Sequence, residues 1–207
     1  LWKNYKYHTL NFKEDLIEKL FNAKAKKRYY ELNGYPRSSK IDLSDAEVVY
    51  KKGKQYFNGE NVKQSNEKAF LYFKKSAEMG HPDGQYALGY MYATGSYIKQ
   101  DYNEALKWFR KAEAQKNAKA MNSLGYLYSN GLGVEKDEKM AFHYFKKSAD
   151  LKNADGQYNL GWCYTNGFGT EKSIEEAIKY HELAAENGNT LASFNLGAMY
   201  ENGSGVT

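Results

Sequence analysis

The chain has 207 residues, 42% hydrophobic, 27% charged and 16% aromatic with 20 tyrosines, which excludes general disorder because disordered chains are poor in aromatics. Two prolines and 18 glycines exclude collagen-like and proline-rich sequence, and no apolar run is long enough to span a membrane as a helix. The net charge of +5 lies wholly in residues 1–43, with ten Lys/Arg and five Asp/Glu, whereas the remainder holds twenty of each sign.

Residues 1–43 read as a basic N-terminal helical segment and linker. Asn11 and Glu14 form a capping pair ahead of Phe12, Leu16, Leu20 and Ala23, which predicts a helix over 12–32 stopped by Asn33-Gly34. The linker is 34–40, with Pro36. Ser44 with Glu47 is then expected to cap the next helix, with Leu43 and Val48 forming a hydrophobic staple across its start. Lys24-Ala-Lys-Lys-Arg28 beside Tyr29-Tyr30 gives the segment an alternative reading as a contact for an anionic partner. So few charges make a small footprint, so nucleic acid is not the expected partner. Leu1 in place of Met and the stop at Gly205-Val206-Thr207 read as the ends of a piece cut from a longer protein.

Residues 44–207 repeat every 36 residues. Gly53, Gly89, Gly125, Gly161 and Gly197 form one column, and Gly59, Gly95, Gly131, Gly167 and Gly203 another, so ten of the 18 glycines fall in two columns. Tyr56, Tyr92, Tyr128, Tyr164 and Tyr200 form a third, and Ala69, Ala105, Ala141 and Ala177 a fourth. Tyr72, Trp108, Tyr144 and Tyr180 complete the pattern.

Each unit predicts two helices. The first starts at His81, Asn117, Asn153 or Asn189, the column where Asn can accept hydrogen bonds from the free N–H groups of the first turn, and Pro82 follows where its missing N–H is harmless. It ends at a glycine suited to a left-handed cap. The second starts at Ser65, Asp101, Asp137 or Ser173, with Glu104 and Glu176 completing capping boxes. Its apolar stripe runs Ala69, Tyr72, Phe73, Ser76, Ala77. A glycine inside every first helix costs about 1 kcal/mol against alanine. Close approach of the second helix, with its alanine opposite the glycine, is the expected reason. One such hairpin cannot bury both faces, so neighbouring units must stack.

Units such as 118–134, with Leu124-Gly-x-x-Tyr128 and Gly131-Leu-Gly-Val134, followed by Ala141-x-x-Tyr-Phe-Lys-Lys, resemble the Sel-1-like repeat (SLR) family, a relative of the tetratricopeptide repeats. The resemblance covers about residues 45–207. It implies an all-α, right-handed superhelical solenoid of antiparallel helix pairs, with a concave groove that binds proteins or peptides. Lys52 stands where the family pattern has Leu, Ser96-Tyr97-Ile98 replaces Leu-Gly-Val, and His181 replaces the phenylalanine seen at Phe145. The last unit lacks its second helix, so an end open to self-association is expected unless further repeats follow, and residues 1–43 are the expected cap of the other end.

No catalytic constellation accompanies the repeat. His8, His81, His143 and His181 form no metal-binding motif, and Gly131-Leu-Gly133 and Gly167-Phe-Gly169 lack the remaining parts of a phosphate loop. Cys163, the single cysteine, excludes an internal disulfide or a cysteine zinc site and reads as packed. Asn202-Gly-Ser204 fits a glycosylation sequon but is a repeat turn. No catalytic, cofactor or metal residue is expected, and the expected location is cytoplasmic.

The working surface is expected on the first helices, beside the packed face. This stripe reads Asp83, Tyr86, Tyr90, Ala93; Lys119, Asn122, Tyr126, Ser129; Asp155, Tyr158, Trp162, Thr165; Leu191, Phe194, Ala198, Glu201. By resemblance to tetratricopeptide arrays it faces the groove, and Tyr86, Tyr90, Asn122, Tyr126, Tyr158, Trp162 and Phe194 are the candidate binding residues. Tyr86, Tyr158 and Phe194 are divided between packing and contact; Tyr90, Tyr126 and Trp162 are expected to be exposed, because Ala198 shows that their column demands no volume. The expected function is a non-enzymatic scaffold or adaptor for a protein or peptide. The alternatives are a regulatory repeat region of a larger signalling protein, for example one carrying a kinase, and anionic binding through the basic segment.

Overall fold

A computed structural model of the chain describes residues 44–201. The expected N-terminal helix, its linker, the Leu43 half of the staple and the sequon lie outside the described residues. The first helices are α1 (Ala46–Asn58), α3 (Pro82–Thr94), α5 (Ala118–Asn130), α7 (Ala154–Asn166) and α9 (Thr190–Glu201). The second helices are α2 (Asn66–Glu78), α4 (Tyr102–Ala114), α6 (Glu138–Asp150) and α8 (Ile174–Glu186). Each second helix packs on the first helix of its own unit and on that of the next, which makes an all-α helical-repeat solenoid.

The caps fall on the repeat columns. Asn117 and Asn153 accept from the N–H of Ala120 and Gly156 at 2.9 and 2.8 Å, and Asp101 and Ser173 do the same for Glu104 and Glu176 at the second helices. At the first helix the cap is Asp45 rather than Ser44: its carboxylate accepts from Glu47 N–H at 2.8 Å, and its backbone is extended. Asp45 stands 36 residues before His81, so the column outranks the local Ser-x-x-Glu pattern. Gly59, Gly95, Gly131 and Gly167 close their helices in the left-handed region, with φ of 66 to 76°.

The glycines inside the first helices do mark a close approach, but the group pressed onto them is a ring rather than the alanine methyl. A Cβ at Gly89 would lie 2.7 Å from Phe109 Cδ1, and one at Gly125 2.6 Å from Phe145 Cδ1; the alanine of the same helix contributes its carbonyl oxygen, 3.3 and 3.2 Å away. Gly53 receives Phe73 in the same way, and Gly161 receives His181. The His181 ring is buried, with Nδ1 lacking a hydrogen-bond partner among the described residues. Burial lowers its pKa.

Polar groups join the units across the stack. Asn117 Nδ2 donates to Asp83 at 2.7 Å and Asn189 Nδ2 to Asp155 at 2.9 Å, so each cap residue also holds an acid of the preceding unit. Ser76 and Ser148, both fully buried, donate to the carbonyls of Ala46 and Ala118 at 2.8 and 2.7 Å. Lys52, where the family pattern has Leu, is buried and satisfied by Gln55 Oε1 at 3.0 Å. Tyr97 occupies a turn position held by Gly133 and Gly169 in later units, and takes the left-handed conformation with φ 77°. Its hydroxyl donates to Glu67 at 2.9 Å and its ring lies 5.9 Å from Phe70, which ties this turn to α2.

Candidate protein-binding face

The first helices lie side by side, with α1 touching α3 and α5 touching α7. Because successive units repeat the same structure every 36 residues, positions 36 residues apart fall in line down this layer. Tyr90, Tyr126 and Trp162 form one such line and are 41%, 56% and 40% exposed, large values for aromatic side chains on successive helices. Phe194, in the neighbouring line, is 74% exposed.

The other candidates are drawn further into the packing. Tyr86 is half-buried against Phe109, with ring centroids 5.9 Å apart, and burial pushes its hydroxyl pKa up to about 12. Tyr158 is half-buried against the His181 ring at 5.6 Å. Asn122 accepts from Asn159 Nδ2 at 2.8 Å and so links α5 to α7. The Trp162 ring lies tilted beside Phe168, at 5.2 Å between centroids, and the residue remains exposed.

The described residues also contain an aromatic cleft in which the candidates Tyr86 and Tyr90 are joined by residues of α1. Tyr50, Lys54 and Phe57 of α1 and Tyr86 and Tyr90 of α3 surround a hollow of about 290 Å³, with buried Phe73 behind it. Phe57 meets Tyr90 edge-on at 6.3 Å and 83°, and Tyr86 meets Tyr90 at 6.3 Å and 41°. Splayed rings of this kind leave faces open between them rather than closing on one another. The signal was in the columns: Tyr50 stands 36 residues before Tyr86, and Lys54 36 before Tyr90.

Nothing in this face forms a nucleophile–base pair, and the described residues contain no group of three or more His, Cys, Asp or Glu able to hold a metal ion. Cys163 is fully buried, and burial pushes its thiol up to about 12. No helix among the described residues is long and apolar enough to cross a membrane. What the face offers is aromatic surface with polar tips on a rigid scaffold, the chemistry of non-covalent recognition.

Comparison with known proteins agrees with this architecture. Sel1 repeats match residues 50–81, 82–117, 118–153, 154–189 and 190–207. A Sel1 repeat protein from Oxalobacter formigenes is similar at 30% identity and a TM-score of 0.75, over 89% of this chain and 78% of that one. The protective antigen c5321 of uropathogenic Escherichia coli, which displays an SLR fold, is 31% identical with a TM-score of 0.71; the match spans 81% of this chain but 36% of that protein. Cysteine rich protein B of Helicobacter pylori is 28% identical with a TM-score of 0.52, over 67% of this chain and 99% of that one. No curated protein matches. With five consecutive units recognised from residue 50 to residue 207, the chain belongs to the Sel1 repeat family.

Proposed function

We propose that this chain is a non-enzymatic scaffold or adaptor that holds a protein or peptide along the groove formed by its first helices. The Sel1 repeat fold is one that serves protein–protein interaction. The observation that carries the reading for this chain is the line Tyr90, Tyr126, Trp162, exposed in register on three successive units. Aromatic side chains anchor interfaces because they bury large area with few rotors to immobilise, and their hydroxyl or indole N–H then finds a partner. Stacked units hold the three at a fixed spacing, so a partner meets them without ordering a loop first. Asp83 and Asp155 of the same stripe support the stack through Asn117 and Asn189, and so are assigned to the scaffold rather than to the ligand.

A random peptide library displayed on phage and selected against the chain tests this. Binders are expected to lose at least tenfold in affinity with Tyr126→Ala or Trp162→Ala, while circular dichroism and melting stay close to the parent. Binders indifferent to both substitutions would remove the groove from the account.

A further inference from the structure

The cleft between α1 and α3 narrows the chemistry of the ligand, on the footing that the first-helix groove is the binding surface. Five of its eight lining residues are aromatic, Asn58 and Ala87 complete the wall, and its one charged lining residue is Lys54. Lys54 is exposed and makes no ion pair among the described residues. Of the acids near the walls, Glu47 is paired with Lys51 and His81, whereas Asp83, held by the neutral amide of Asn117, keeps its charge and acts on Tyr50. A cation beside aromatic walls, with no carboxylate in the lining, complements a ligand that brings an apolar ring and a negative charge together. The hollow of about 290 Å³ is open and shallow in volume, enough for one or two compact side chains. Tyr90 is partly exposed and carries a phenol O–H able to donate, and a backbone in the polyproline II conformation has all its carbonyls free to accept. Such a backbone also loses little entropy on docking, and aromatic-lined grooves are a recurring receptor for it.

We infer that the α1/α3 cleft receives an extended, acidic, proline-containing segment of a partner protein. A proline ring enters among Tyr50, Phe57, Tyr86 and Tyr90, and a neighbouring Asp or Glu side chain of the ligand pairs with Lys54.

Three fluorescein-labelled 12-residue peptides test this by anisotropy with the whole chain: one alternating Pro and Glu, one alternating Pro and Lys, and one alternating Gly and Glu. The Pro/Glu peptide is expected to bind at least tenfold tighter than either other peptide. Lys54→Glu is expected to weaken it at least tenfold and to reverse the preference toward the Pro/Lys peptide; Tyr90→Ala is expected to weaken both proline peptides. The reversal is a gain of binding, which a misfolded variant cannot produce. Equal binding of the Pro/Glu and Gly/Glu peptides would overturn the inference by reducing it to charge alone, and so would indifference to Lys54→Glu. The two readings fail separately. If selected library peptides depend on Tyr126 and Trp162 but ignore Lys54 and Tyr90, the groove stands and this cleft assignment falls.

Discussion

The hydroxyl of Ser76 occupies the space that a side chain on Gly84 would need: a Cβ built there would lie 2.5 Å from Ser76 Oγ and 2.8 Å from its Cβ. Ser148 and Gly156 repeat the relationship at 2.4 and 2.6 Å. In the units between, the same two columns hold Ala112 with Ala120 and Ala184 with Ala192, all buried. Serine with glycine and alanine with alanine are two solutions to one packing constraint, and they alternate along the solenoid. The buried polar partners alternate too, with Gln85 bonded to Gln115 and Gln157 to Asn187. The structural period is therefore two units.

The pairing makes Gly84→Ala and Ser76→Ala strongly coupled. Gly84→Ala alone is expected to destabilise by about 1–3 kcal/mol despite its better helix propensity, through overpacking. Ser76→Ala alone is expected to cost about 1 kcal/mol, by losing the bond to the Ala46 carbonyl. The double variant reproduces the alanine–alanine solution and is expected to recover about 1–2 kcal/mol relative to additivity, read from urea denaturation of the four proteins in a double-mutant cycle. Additive costs would show that the two sites do not share one space.

Two glycines of one column should respond in opposite directions. Gly125→Ala drives a methyl into the Phe145 ring and is expected to destabilise by about 1–3 kcal/mol. At Gly197 nothing among the described residues lies within 4 Å of the added methyl, so Gly197→Ala is expected to gain up to about 1 kcal/mol from helix propensity alone. Thermal melts of the two variants check the sign of each change.

His181 gives the fold an acid-sensitive point. Its folded-state pKa is lowered by burial, so the unfolded chain takes up the proton first as pH falls. The stability this residue permits is complete above its ordinary value of 6.5 and declines as pH drops below it, until the folded-state pKa is reached. His181→Phe restores the ring found at Phe73, Phe109 and Phe145, removes an unpartnered buried nitrogen and is expected to stabilise by about 1 kcal/mol at pH 7. It should also flatten the pH dependence of urea midpoints between pH 7 and 5. A slope unchanged in the variant would place the titrating group elsewhere.

Cys163 is expected to be chemically silent in the folded chain. With its thiol fully buried and pushed up to about 12, it should react with a maleimide at pH 8 at the rate of unfolding and not at the rate of a free thiol. Fast stoichiometric labelling under native conditions would contradict the packing around α7.

The solenoid was legible because its evidence is periodic. Glycine, tyrosine and cap residues recur every 36 positions, and each column has one physical task. Ser44 carries the local Ser-x-x-Glu pattern, but the cap column lands on Asp45, and the column decides. Ala105 does stand over Gly89, through its carbonyl oxygen, but the nearest group is the Phe109 ring, because a second-helix side chain leans over the turn that precedes it. The surface stripe extends one unit before Tyr86, Tyr90 and Ala93, to Tyr50, Lys54 and Phe57, but their convergence on one cleft depends on the packing of α1 against α3, which no spacing encodes. The bonds from Asn117 to Asp83 and from Asn189 to Asp155 could not be read from spacing, since the offset between stacked units sets those distances.

Amide hydrogen exchange, with and without a peptide selected for binding, tests the central claim most directly. The account predicts that the peptide slows exchange in α1, α3, α5 and α7 and leaves the outer faces of α2, α4, α6 and α8 unchanged. Protection concentrated on the second helices, with the first helices unaffected, would contradict it.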